Sequence, residues 1–336
     1  MFLVYVDDIL LFSSSSTLIS KVQGLLEQKF QCSKMVEVRY YLGMHVEREK
    51  DKGVLRLNQR MYCEGLAERY GLKGDEAPIT PFPANFSVEP CVEEEAVGEK
   101  ERKRFHSMVG ALNYAANHTR LDIAFATSRL ASVVSRPSKV HVEVAQRLVR
   151  YVSATASVGL EFSAVRQRMQ RGAREVKDGH VLLTCFTDAS YNSVKCDGTS
   201  VGGYVCLVGG GAVSWRSKKQ SEAAQSTTES EYMALYHGAK EVVWLRRLLG
   251  EIGLPQEDPT PLFCDCEPTV KLAKNACLHG LTKHMKPKWH WVRGLVAKEV
   301  QLEIVKTSLQ AADIFTKSLA GQLHWKMMKL AGMSVN

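Results

Sequence analysis

The chain has 336 residues, 45% of them hydrophobic, and a formal net charge of +8. That length allows two or three domains with proper cores, and the lack of any apolar run of about 18 residues leads us to expect a soluble protein. Nine scattered cysteines without a CxxC pair, and no secretory signal, point to reduced thiols in an intracellular protein and exclude a disulfide framework.

The first element is "MFLVYVDDILLF", in which Asp7 and Asp8 interrupt an apolar run. It reads as a β-hairpin with the two aspartates at its turn. An isolated acidic turn is the ordinary explanation of such a pair. Apolar strands on both sides favour another: two like charges held against a buried sheet need a cation between them, typically Mg²⁺. "TLISKVQGLLEQKF" follows with helical spacing, and "VEVRYYLGMHVEREKDKGVLRLNQ" alternates like two strands around a charged, Gly-containing turn. "RMYCEGLAERYGL" reads as a helix ending at Gly71, and residues 74–101, with four prolines, as an irregular connector. Three helices are expected around 102–117, 121–135 and 138–155, and the Arg-rich stretch after them marks the domain boundary.

From residue 181 strands alternate with helices. "VLLTCFTDAS" is a strand leading to Asp188, "VGGYVCLVGGGAVSWRSKKQ" two short strands, and "STTESEYMALYHGAKEVVWLRRLLGEIG" a long amphipathic helix. "PLFCD" and "LEIVKT" are further strands, and "AADIFTKSLA" a closing helix, giving a mixed sheet of about five strands with helices packed on it. Cys264 and Cys266 flank Asp265 on an extended chain, which turns the two thiols to opposite sides, a poor metal-binding pair.

Four carboxylates of this unit stand where chemistry can occur. Asp188 and Asp265 end strands, Glu229 lies in the first turn of the long helix, and Asp313 opens the last helix. Singly, each has an ordinary reading: Glu229 completes a capping box with Ser226, Asp265 and Asp313 are helix N-caps, and Asp188 is a turn former. Together they describe an acidic cluster at one end of a sheet. Such a cluster suits two divalent ions that activate a water and stabilise the leaving oxygen of a phosphodiester. Between Pro268 and Lys298 there is no acid, while Lys283, Lys286, Lys288 and Arg293 alternate with Trp289 and Trp291. A solvated helix face normally mixes signs, so this run points to phosphate contacts with aromatic stacking.

"YVDDILLF" resembles the catalytic hairpin of reverse transcriptases. "LNQRMYCEGLAERYGL", "FHSMVGALNYAANHTRLDIAFATSRLAS" and "STTESEYMAL…CDCEPTVKLAKN…TKH…ADIFTKSL" resemble the Pol polyprotein of copia-type LTR retrotransposons, in family order, from Phe2 to about Met333. The resemblance implies a fold of mixed class: the C-terminal part of a reverse-transcriptase palm over 1–75, a connector and thumb-like helical region over 76–165, an RNase H-like domain with a five-stranded sheet over 178–320, and a C-terminal helix or tail over 321–336. It further implies that Asp7 and Asp8 are polymerase metal ligands, and that Asp188, Glu229, Asp265 and Asp313 are the catalytic, metal-binding set of the RNase H, with two Mg²⁺ per site and Mn²⁺ able to substitute.

The implied partners are RNA–DNA hybrids and the N-terminal polymerase part of the parent polyprotein, with no membrane. The implied location is the cytoplasm, within virus-like particles, or the nucleus. The fingers and a third polymerase aspartate of the family have no counterpart here, so no polymerisation is expected of this chain alone. Flanking positions depart as well: Cys266-Glu267 stands for the usual Asn-Gln, Ser190 for a common acid, and Met285-Lys286 for a hydrophobic-Asp pair. Such drift keeps two alternatives beside the nuclease, a non-catalytic nucleic-acid-binding remnant and an inert fragment.

Overall fold

The computed structural model describes residues 1–32, 36–74, 76–83, 86–166, 181–275 and 287–334. Strands β1 (Phe2–Tyr5) and β2 (Asp8–Leu11) pair antiparallel around Val6 and Asp7, with Tyr5 opposite Asp8. Helix α1 (Ser16–Lys29) follows, its first turn capped by Ser15 Oγ, which accepts the Leu18 amide at 3.3 Å. None of residues 1–30 is buried, and Phe2 is 66% exposed. A hairpin therefore forms, but its turn is Val6–Asp7 with Asp8 already in β2, and it is not held against a buried sheet. A lone two-stranded ribbon has no second layer on which to bury its apolar face.

A second sheet runs in the order β12-β6-β5-β4-β3, all antiparallel. It consists of β3 (Tyr40–Tyr41), β4 (Met44–Glu49), β5 (Val54–Asn58), β6 (Gly159–Ser163) and β12 (Met333–Ser334). Between β5 and β6 the chain makes α2 (Arg60–Arg69), α3 (Glu99–His118), α4 (Ala124–Ala131) and α5 (Lys139–Ala154). Their facing sides share one core that includes Leu66, Phe105, Met108, Leu112, Leu130 and Leu148. On α5 the buried Val142, Ala145, Leu148, Val149 and Val152 recur at helical spacing, and Ser138 with His141 closes a capping box at its start.

The third sheet has the order β11-β10-β7-β8-β9. Its central strand β7 (Leu183–Val194) is antiparallel to β8 (Thr199–Val208), which is antiparallel to β9 (Gly211–Lys219). On the other side β10 (Thr260–Cys264) runs parallel to both β7 and β11 (Val300–Ile304). Helix α6 (Thr227–Glu251) crosses β7 at close range, because a Cβ on Gly238 would lie 2.3 Å from Thr187 Cγ2. The mixed five-stranded sheet is the one expected.

One expectation needs correction. The segment 311–320 is not a helix: Ala311–Phe315 forms a short 3-10 turn, and the helix near the C-terminus, α7 (Gly321–Leu330), begins later. The helix expected within 321–336 is present, and the segment packs against both larger sheets. Met327, Met328 and Met333 are fully buried in a core shared with Leu160, Val205 and Phe315, and β12 completes the second sheet beside β6. Three apolar side chains on so short a segment need a layer to cover, and the seam between the two larger sheets provides it.

The same seam holds a buried polar network. Arg120 donates to both oxygens of Asp122, at 2.9 and 2.8 Å, and to the carbonyls of Val152 and Thr155. Burial alone would raise the Asp122 pKa, but the Arg120 charge and hydrogen bonds outweigh it and hold the carboxyl below its ordinary range. Tyr151 donates its hydroxyl to Asp122 at 2.9 Å and meets His324 Nε2 at 3.1 Å, tying α7 to α5. From the other side Trp215 Nε1 on β9 donates to the Ala116 carbonyl of α3 at 2.8 Å.

Candidate metal centre

The site forms where three strands and a turn meet. Asp188, on the central strand, is 1% exposed. Asp265 directly follows β10, which lies beside β7, so both carboxylates emerge at the same end of the sheet. Asp313 reaches them from the 3-10 turn, which two features press onto the sheet. Gln310 Nε2 donates to the Thr187 carbonyl at 2.9 Å. Gly203, opposite Asp188 on β8, leaves room for the turn, since a Cβ there would lie 2.5 Å from Phe315 Cβ. One carboxylate oxygen from each of Asp188, Asp265 and Asp313 falls within 4.8 Å of the others.

The fourth carboxylate is Glu231, and Glu229 is not brought to the cluster. Glu229 faces the start of α6, where it accepts the Gln225 amide at 2.7 Å while its own amide donates to Ser226 Oγ at 3.2 Å. That is the capping role of an S-x-x-E sequence. Two residues on, about 200° around the helix, Glu231 turns to the sheet. It is 4% exposed, and a carboxylate oxygen, Cys264 Sγ and an Asp265 oxygen lie within 4.8 Å of one another. The Ala189 amide beside Asp188 favours the charged form of Glu231, against burial. The signal in the sequence was a lone charge in the run Ser230–Leu235, every residue of which is buried. Cys264, read as half of a poor thiol pair, joins this group on its own.

The electrostatics follow from crowding in a dry place. Burial, then the charges of Asp188 and Asp265, raise the Glu231 pKa well above the ordinary carboxylate range. Burial and the neighbouring Asp188 push Asp313 up to about 7, against the pull of Lys317. Burial likewise raises Asp188, although Lys317 and the Thr316 hydroxyl oppose it. Thr316 Oγ1 donates to Asp188 Oδ2, and Lys317 Nζ lies 2.8 Å from Asp313 Oδ1 and 3.5 Å from Asp188 Oδ2. Hard oxygen donors, converging and short of positive charge, match what Mg²⁺ or Mn²⁺ takes from a protein.

The other expected sites fare differently. Asp7 and Asp8 are exposed on the hairpin, and among the described residues no third acid, histidine or cysteine gathers with them. Lys283 and Lys286, and the side chain of Lys288, lie outside the described residues. Trp289 is 3% exposed and packs edge-on against Tyr236 at 4.9 Å, so it is a core residue and not a stacking platform. Its large apolar ring gains more in that core than on the surface. Arg293 also turns inward, its Nε donating to the Leu272 carbonyl at 3.3 Å. No helix among the described residues is long and apolar enough to cross a membrane.

A family profile described as "Reverse transcriptase (RNA-dependent DNA polymerase)" matches residues 1–84. The chain is 32% identical, over 99% of its length, to a retrovirus-related Pol polyprotein from transposon TNT 1-94 of Nicotiana tabacum, and covers 24% of that protein. It is 30% identical, over 95% of its length, to the corresponding polyprotein from transposon RE1 of Arabidopsis thaliana, covering 20%. The chain thus spans a quarter or less of the length of these curated relatives. Among solved structures, an N-terminal RNase H domain from Mycobacterium tuberculosis, fused to maltose-binding protein, overlaps 40% of this chain and 91% of its own. The identity there is 15% and the TM-score 0.28, too low to bear on the fold.

Proposed function

Because the chain belongs to the Pol polyproteins of copia-type LTR retrotransposons, we propose that residues 181–334 act as an RNase H, a divalent-metal nuclease that hydrolyses the RNA strand of RNA–DNA hybrids. The observation that carries this reading is the convergence of Asp188, Asp265 and Asp313, with Glu231 beside them, at one end of the mixed sheet. Those four side chains would hold the metal. Divalent ions bound there supply an activated water and positive charge for the leaving 3′-oxygen.

The chain's own contribution is order. Asp188 is fixed by its central strand and by Thr316, and Asp313 by the turn that Gln310 anchors. Glu231 is fixed by a helix whose capping Glu229 and Ser226 hold its first turn. Buried carboxylates set in this way bind metal without rearranging, which keeps the geometry of attack.

For the first part of the chain we propose no polymerase activity in isolation, since Asp7 and Asp8 sit on an exposed ribbon with no third ligand among the described residues. In the parent polyprotein the apolar ribbon would be covered by the rest of the polymerase.

The test is cleavage of an end-labelled RNA–DNA hybrid by the intact chain. Mg²⁺-dependent cutting of the RNA strand is expected, abolished in Asp188→Asn, with hybrid binding retained. A folded protein that cuts with neither Mg²⁺ nor Mn²⁺ would leave the nuclease reading without support and favour a binding remnant.

A further inference from the structure

Two carboxylates as buried as Asp188 and Asp313, with a third beside them, cannot all stay ionised unless positive charge lies close by. Among the described residues, Lys317 is the cation paired with them. Its ammonium stands 2.8 Å from Asp313 Oδ1 and 3.5 Å from Asp188 Oδ2. Asp188 Oδ2 is already engaged by the Thr316 hydroxyl, so the ammonium and the hydroxyl crowd one oxygen. The side chain of Lys317 is 36% exposed, whereas those of Asp188 and Asp313 are 2% and 6% exposed. Its amine thus has a path to solvent that the carboxylates lack.

We infer that Lys317 is the resident counter-ion of the cluster, competing with divalent metal for Asp188 and Asp313, and that metal entry swings it outward. The inference rests on the metal reading above and deepens it. A divalent ion bonded to Asp313 Oδ1 would share that oxygen with an ammonium now at hydrogen-bond distance, and the two positive charges repel one another across it. Lys317 is four residues from Asp313 on the same turn, and its backbone amide donates to the Asp313 carbonyl at 3.2 Å. The main chain is therefore pinned while the flexible stem is free to leave. Lys317 is a positioning residue in this scheme: it keeps the acidic side chains gathered while metal is absent and yields to metal when it arrives.

A residue that merely stabilised the turn would lower thermal stability when removed and leave metal affinity alone. A competitor does something else. In the intact chain, Lys317→Met should bind Mn²⁺ roughly tenfold more tightly or better, read by electron paramagnetic resonance titration at fixed pH. Its unfolding midpoint without metal should fall, and the rise on adding Mg²⁺ should exceed that of the wild type. Lys317→Arg, which keeps the charge, should stay near the wild-type affinity. A Lys317→Met protein that folds only with metal would also support the inference. Unchanged or weaker Mn²⁺ binding by folded Lys317→Met, beside a wild type that binds, overturns this inference alone. If neither protein binds Mn²⁺, the metal reading of the site falls with it.

Discussion

Glu229 and Glu231 lie two residues apart on one helix and have separate tasks: Glu229 accepts the Gln225 amide at the helix start, while Glu231 is turned to the sheet, its carboxylate gathered with Cys264 and Asp265. Helical geometry forces the division, because a step of two residues turns a side chain to nearly the opposite face.

The pair gives a clean separation of effects. Glu231→Gln should reduce metal-dependent hybrid cleavage by at least about a hundredfold, with little change in the unfolding midpoint. Glu229→Ala should leave cleavage within a few-fold of wild type and cost about 1 kcal/mol of stability through the lost cap. Parallel single-turnover assays and denaturant titrations check both, and equal losses of activity would show that the assignment is wrong.

Trp289 should behave as a core residue. Replacing it by Ala removes a ring that is 3% exposed and packs on Tyr236 and His237. A loss of about 3–5 kcal/mol in urea unfolding is expected, with no change in the salt dependence of hybrid binding under conditions where the variant is folded. A flatter salt slope would return Trp289 and its neighbours to the nucleic-acid surface.

The hairpin and first helix should be dispensable for stability. Since none of residues 1–30 is buried, deleting them should move the calorimetric midpoint by less than about 2 °C. The shortened chain should also aggregate less, having lost the exposed Phe2, Val4, Tyr5 and Phe30. A large drop in the midpoint would mean that this segment packs on the rest.

Acid should loosen the seam at His324. Burial lowers its pKa from 6.5 to about 4, against the pull of Asp122. In the unfolded chain the imidazole takes up a proton near pH 6.5, before the folded one does, so its contribution is complete above that pH. The contribution is lost as pH falls toward 4, up to about 3 kcal/mol in all. His324→Gln should flatten the stability profile across that window. An equally steep profile in the variant would exclude His324 as a source of the slope.

Much of this was legible in the residues. Asp188 could be placed because a strongly apolar strand leads into it, and Asp265 because "PLFCD" does the same. Glu229 stands out in the sequence because a capping box is a local signal readable from four residues, whereas Glu231 is defined by the strand it faces. The 3-10 turn around Asp313 was read as a helix for a similar reason. Its buried alanines, Ile314 and Phe315 have helical spacing, but Phe315 packs against Gly203 and Gln310 bonds to Thr187, both far away in sequence. The basic neighbours of Trp289 suggest a surface, while its packing against Tyr236 of α6 decides its burial.

The pairing of β12 with β6 has a consequence for biosynthesis. Strands β4, β5 and β6 are complete once residue 163 has been made, yet Met333 and Ser334 close the sheet beside Leu160 and Gly159. A nascent chain must therefore hold that edge open while some 170 further residues leave the ribosome, a wait of about 10–30 s at ordinary elongation rates. An unpaired strand edge of that kind is a template for mispairing. Premature termination anywhere before residue 333 would thus leave the first half of the protein, and not only the nuclease half, exposed to association with other chains.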